Sequence, residues 1–151
     1  MPRDTSHPSH RLALVTYGRL MRAANALRSF ASRQVSESGL TLTQFAVLEA
    51  LYHVGPMSLS EVARKILTTG GNLTMVVGNL EKQGLVSRKC SEKDARVYVL
   101  SLTGKGKRLI GAIFPEHAAA ITEAVEVLTP KEQKKLAELC KKLASRQAEL
   151  D

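Results

Sequence analysis

The stretch LTTGGNLTMVVGNLEKQGLVSR, residues 67–88, decides the fold. Leu73, Val76, Val77 and Leu80 recur at three- and four-residue spacing, which predicts a helix with one apolar side over about residues 69–83. Its other side holds Asn72, Thr74, Met75, Gly78 and Asn79, a set too short and too neutral for the charged face of an ordinary surface helix. Short side chains let a helix backbone come close to another surface. Gly84 follows as the expected left-handed terminator, and beyond it the hydrophobic period falls from helical to two.

Upstream and downstream, three helix starts pair a hydroxyl residue with Glu or Gln three positions later, so that each side chain satisfies a backbone N–H at the other residue. They are Thr41 with Gln44, Ser58 with Glu61, and Thr129 with Glu132, the last with Pro130 at the first helical position. A helix over about 42–52 therefore stops at Gly55-Pro56, and a short one after it turns Val62, Ala63, Ile66 and Leu67 inward. Residues 86–90 and 97–102 read as the strands of a hairpin around a polar turn at 91–95. A long first helix from His10 lines up Leu20, Met21, Ala24, Leu27, Ala31 and Val35. Residues 104–125 form another, through Leu109, Ile110, Ile113, Ile121 and Val125, which Pro115 should kink. The last helix places Leu136, Cys140, Leu143 and Leu150 on one seam that Gln147 interrupts. The expected fold class is mainly α with a small β-hairpin wing, after a mobile arm at residues 1–9.

The chain has 151 residues, 44% of them hydrophobic, enough for one domain with a core. Its 22 Lys and Arg against 14 Asp and Glu give a net charge of +8, which favours a polyanion such as nucleic acid or an anionic membrane. No apolar run has the length of a spanning helix and the N-terminus lacks a secretory signal, so the expected location is the cytoplasm. Cys90 and Cys140 are too far apart in sequence to form a disulfide framework or a paired metal site, and both are read as reduced thiols.

A short helix, a turn, and a helix with one apolar and one small polar face is the arrangement of a helix-turn-helix, whose second helix enters the major groove. Asn pairs with adenine there, while Thr and Met reach the thymine methyl. Thr68, Thr69, Asn72 and Thr74 fall near the helix start, where free backbone N–H groups also favour a phosphate. The charge supports this reading. Residues 82–108 contain Lys82, Arg88, Lys89, Lys93, Arg96, Lys105, Lys107 and Arg108 against Glu92 and Asp94 alone, so most of the net charge flanks the reading helix. The candidate DNA-binding residues are Thr68, Thr69, Asn72, Thr74, Met75, Asn79 and Lys82 on or beside the helix. Arg88, Lys89, Lys93, Asp94 and Arg96 join them from the hairpin.

These residues resemble the MarR family of bacterial winged helix-turn-helix transcription regulators. DARVYVLSLTGKG is similar to the family's wing signature through Asp94, Arg96, Leu100, Leu102, Thr103 and Gly106, and GNLT and LEKQGLV resemble its recognition helix. The resemblance implies a ligand- or oxidant-responsive homodimeric repressor on a palindromic operator, with dimerisation helices at 10–38 and 104–151 around a DNA-binding lobe at 41–103. It implies Arg96 in the minor groove, oriented by Asp94, and a small aromatic or phenolic effector between lobe and dimerisation helices. The apolar stripes of the first and last helices agree with a dimer, because a small lobe cannot cover them. Half-sites should then lie about 34 Å apart. Many relatives carry a basic residue at Met75 and Asn79 and an Asp at Gly78. The neutral face here predicts an A·T-rich operator core read by Asn and Thr.

Two other classes could use the same surface: a winged-helix module that docks protein, and a basic coat that binds nucleic acid without sequence choice. Cys90 has basic neighbours of the kind that activate thiols, but no second cysteine lies near it, and the packing role of a small strand residue is favoured. Cys140 reads as core or interface packing. The histidines lack metal-ligand spacing, and no nucleophile motif, phosphate loop or paired carboxylates accompany Glu116 and His117, so neither a metal site nor an enzyme is expected.

Overall fold

The three caps form as the side chains dictate. Gln44 Oε1 accepts from the Thr41 N–H at 2.9 Å and Thr41 Oγ1 accepts from the Gln44 N–H at 3.1 Å. The same reciprocal bonds link Ser58 with Glu61 and Thr129 with Glu132. The backbone N–H groups of Ser58 and Thr129 hold the two Glu carboxyls below the usual carboxylate range. The computed structural model of the chain describes residues 8–66 and 70–148. Leu67, Thr68, Thr69, Leu150, most of the expected arm (1–7) and the Gln147 side chain lie outside the described residues.

In chain order the elements are α1 (Pro8–Ser36), α2 (Leu42–Val54), β1 (Met57–Ser58), α3 (Leu59–Ile66), α4 (Gly70–Lys82), β2 (Val86–Cys90), β3 (Tyr98–Leu102), α5 (Gly104–Val125) and α6 (Pro130–Ala148). The first helix begins two residues before the expected His10, because Pro8 suits the first helical position. The second runs on to Val54, and Gly55, at φ 94, ends it by donating its N–H to the Leu51 carbonyl at 3.0 Å. The wing strand starts at Tyr98 rather than Val97. The N–H of Val97 closes a turn onto the Asp94 carbonyl at 2.9 Å, so it is not part of the ladder.

The wing is one strand larger than a hairpin. Met57 and Ser58 pair antiparallel with Leu100 and Val99, giving the order β1-β3-β2. Two residues leave no readable period, which is why the sequence pattern does not reveal them. The core gathers Phe45, Leu48, Val62, Leu73, Val77, Leu80, Leu100 and Ile110, all fully buried.

The chain divides after His117 into two compact units. In the second, α6 is tied to the turn before it, where Gln133 Nε2 donates to the Leu128 carbonyl at 2.9 Å. In the first, only Ala31 and Val35 of α1 are buried, while Leu12, Tyr17, Met21 and Leu27 are exposed. On α6, Leu136, Leu139, Leu143 and Cys140 are exposed as well, so Cys140 is not among the buried core residues, one of the two places expected of it. α5 continues through Pro115 as one helix.

The end of α4 fixes the wing's root. Gly84, at φ 70, donates to the Glu81 carbonyl and Leu85 to the Leu80 carbonyl, both at 2.9 Å, the paired bonds of a Schellman motif. Thr103 Oγ1 donates to the Gly84 carbonyl at 2.6 Å and Lys105 Nζ to the Gln83 carbonyl at 2.8 Å, clamping the start of α5 onto this turn. A β-carbon at Gly106 would overlap the Leu85 carbonyl. We expect Gly106→Ala to lower unfolding free energy by about 1–3 kcal/mol, read by denaturant titration, since the obstructing group is backbone and cannot swing away.

Candidate nucleic-acid interface

The two-faced reading of α4 is what the structure presents. Leu73, Val76, Val77 and Leu80 are buried against the core, and Asn72, Thr74, Met75 and Asn79 are exposed. Met75 is 64% exposed, a large apolar side chain that the described residues leave largely uncovered. A β-carbon built at Gly78 would meet no atom within 4 Å. Packing among the described residues therefore does not require glycine there. Lys82 continues this surface at the last turn.

The wing stands beside that face. Val86 pairs with Leu102, Arg88 with Leu100 and Cys90 with Tyr98, so the turn at 91–97 forms its tip. Arg96 projects there with a side chain 92% exposed, and Asp94 holds it at the base. Asp94 Oδ1 accepts from the Arg96 backbone N–H at 3.0 Å and from its Nε at 3.2 Å. These bonds, the backbone one foremost, hold the Asp94 carboxyl below its usual range, so Asp94 stays ionised through neutral and mildly acidic pH. Lys89 and Lys93 are exposed along the same wing.

Arg88 differs from the other expected phosphate contacts. Its Nη2 donates to Glu81 Oε2 at 2.9 Å, its guanidinium lies 5.6 Å from the centre of the Tyr98 ring, and its Nε is buried. Thr68 and Thr69 lie outside the described residues. Thus the structure brings Asn72, Thr74, Met75, Asn79 and Lys82 onto one helix face. It places Lys89, Lys93, Asp94 and Arg96 on the adjoining hairpin, and turns Arg88 inward. Glu81 is the functional neighbour that sequence reading missed; its spacing of seven residues from Arg88 is legible only once the turn at Gly84 folds the strand back.

A second concavity lies at the far end of α1. A cavity of about 300 Å³ is bordered by Gln34, Glu37, Ser38, Ile113, Glu116 and His117. The His117 ring stacks on Phe45 with centroids 4.5 Å apart, and its Nδ1 is buried with no hydrogen-bond partner among the described residues. Among those residues no group of His, Cys, Asp or Glu is placed to hold a metal ion, and no helix is long and apolar enough to cross a membrane.

Comparison with known proteins converges on one family. Residues 38–97 match the profile of the MarR family. The transcriptional regulator MhqR of Bacillus subtilis is 40% identical over 124 residues, 82% of this chain and 86% of the relative. Among solved structures, Sco3205 of Streptomyces coelicolor, a MarR family regulator in complex with DNA, superposes with a TM-score of 0.80 at 28% identity, over 90% of this chain and 86% of that one. AbsC from the same organism shares the fold, with a TM-score of 0.81 at 21% identity over 93% and 95% of the two chains.

Proposed function

The chain belongs to the MarR family of transcriptional regulators, and from that premise we propose that it binds a palindromic operator as a homodimer and represses transcription there. The observation that carries the reading is the outer face of α4: neutral, short-chained, exposed, and flanked by a cationic wing. Asn72, Thr74, Met75 and Asn79 read base edges in the major groove, and Thr68 and Thr69, outside the described residues, are assigned to the same surface from their place in the sequence. Arg96, oriented by Asp94, enters the minor groove, whose potential is most negative where it is narrow. Lys82, Lys89 and Lys93 contact phosphates, which position the protein without reading sequence. Sco3205 is described in complex with DNA, and its 28% identity and shared fold support carrying that partner to this chain.

The dimer reading draws on the bare apolar residues of α1 and α6, which need a partner of the same character. Two copies related by a twofold axis present two α4 helices to successive major grooves about 34 Å apart. Residues 10–38 and 104–151 make the dimer and 41–103 reads DNA, in the cytoplasm. Repression, rather than activation, is taken from the family resemblance alone. A small aromatic or phenolic effector is assigned to the cavity bordered by Gln34, Ile113 and His117, a reading supported by the His117 ring and the apolar Ile113 at its border.

Selecting bound fragments from random duplexes tests this. The expected product is a pair of inverted half-sites with an A·T-rich contacted core; a G·C-rich core would refute the base-reading roles given to Asn and Thr. Gly78→Ala supplies a check with opposite signs. Alanine in place of a helical glycine should raise stability by about 0.5–1 kcal/mol, while operator affinity falls because the added methyl stands between helix and groove. A rise in both quantities would show that Gly78 does not face DNA.

A further inference from the structure

Arg88 touches three elements with one guanidinium. It sits in the middle of β2, pairs with Glu81 in the last turn of α4 at 2.9 Å, and lies over Tyr98, the first residue of β3. The two charged side chains are only 28% and 31% exposed, and Arg88 Nε is buried, so this guanidinium is committed inward rather than offered to a phosphate.

Arg88, Arg96, Val97 and Tyr98 of the wing also border a cleft of about 360 Å³, with Ser58 and Ala63 on its other side. The root is clamped at Gly84 and Thr103, and β1 pairs with Leu100 and Val99 but with no residue nearer the tip, so the outer part of the hairpin can lean. From Arg88 to the tip is about five residues, of which Lys89 and Cys90 are strand and the rest turn, so the arm is at most about 16 Å and a lean of about 10° moves the tip by up to about 3 Å. That displacement is the length of a hydrogen bond, enough to remove Arg96 from a groove.

We propose that the Glu81–Arg88 pair, backed by Tyr98, is a latch that sets the wing's inclination to α4, making Glu81 and Arg88 positioning residues for Arg96. The inference rests on the operator-binding reading above. It predicts the reverse of simple electrostatics. Removing the acid at Glu81 takes a negative charge from the DNA-facing side and frees Arg88 for a phosphate, which on charge alone strengthens binding to any duplex. Loss of the latch instead weakens binding to the operator.

The experiment is a titration of the full chain carrying Glu81→Gln against the selected operator and a random duplex, beside wild type and Arg96→Ala. Operator affinity should fall about tenfold in Glu81→Gln, with little change on random DNA, and the loss should vanish when Arg96→Ala is already present, because neighbours acting through one contact are not additive. Exchanging the charges, Glu81→Arg with Arg88→Glu, should restore most of the affinity at unchanged net charge. This exchange also decides the matter if Glu81→Gln alone folds poorly, since a latch that forms in either polarity restores both folding and operator binding. Unchanged or stronger operator binding by Glu81→Gln overturns the latch, as does strict additivity with Arg96→Ala. A wild type with no operator preference instead overturns the functional reading on which the latch depends.

Discussion

Leu80→Ala is expected to lower the unfolding free energy by about 2–5 kcal/mol, the range for removing a fully buried leucine and leaving a cavity. Leu80 is 0% exposed, on the inner face of α4 among Leu73, Val77 and Leu100, and its carbonyl receives the Leu85 N–H that turns the chain into the wing. Thermal or denaturant unfolding measures the loss. Operator binding should fail with it at temperatures where the variant is unfolded, and recover on cooling. Met75→Ala, one turn earlier on the opposite face, should leave stability within about 0.5 kcal/mol of wild type, as an exposed side chain does, while operator discrimination falls. Equal stability losses at the two positions would mean that α4 does not have one face inward and one outward.

Arg96→Ala is expected to weaken operator binding by about 1–3 kcal/mol with folding and dimerisation intact. Its side chain is 92% exposed and it pairs with Asp94, itself at the surface, so the fold loses little when it is removed. The loss should be greatest on operators whose flanks are A·T-rich, because a narrow minor groove concentrates negative potential. Asp94→Asn should give part of the same loss, since it removes the charge that holds Arg96 by Nε as well as by its backbone. An Arg96→Ala protein with wild-type affinity removes the wing from the mechanism.

What could be read in advance depended on how local the cause was. The caps at Thr41, Ser58 and Thr129 need only a four-residue pattern, and each forms with both bonds. The two faces of α4 follow from periodicity within thirteen residues, and Gly84 from the need for positive φ at its end. The family was legible for the same reason, because its wing and helix motifs are contiguous. β1 was not, since Met57 and Ser58 become a strand only by lying beside Leu100 and Val99, forty residues away. Arg88 shows the same limit. As a basic residue on a basic hairpin it looks like a phosphate contact, and only the fold-back at Gly84 reveals that Glu81 claims it. The close approach of Gly106 to the Leu85 carbonyl is likewise a tertiary fact. The apolar residues of α1 and α6 were legible as stripes and stand exposed, and the dimer proposed above is the reading that would cover them.

The account depends on α4 offering a face that distinguishes one base sequence from another. The direct measurement is the affinity of the wild-type chain for its selected operator and for a random duplex of equal length, across a range of salt. The operator should be preferred by about 10³-fold or more at physiological salt, with the preference persisting as salt weakens both. Equal affinities at every salt concentration would contradict it, leaving a basic protein that coats nucleic acid without reading it.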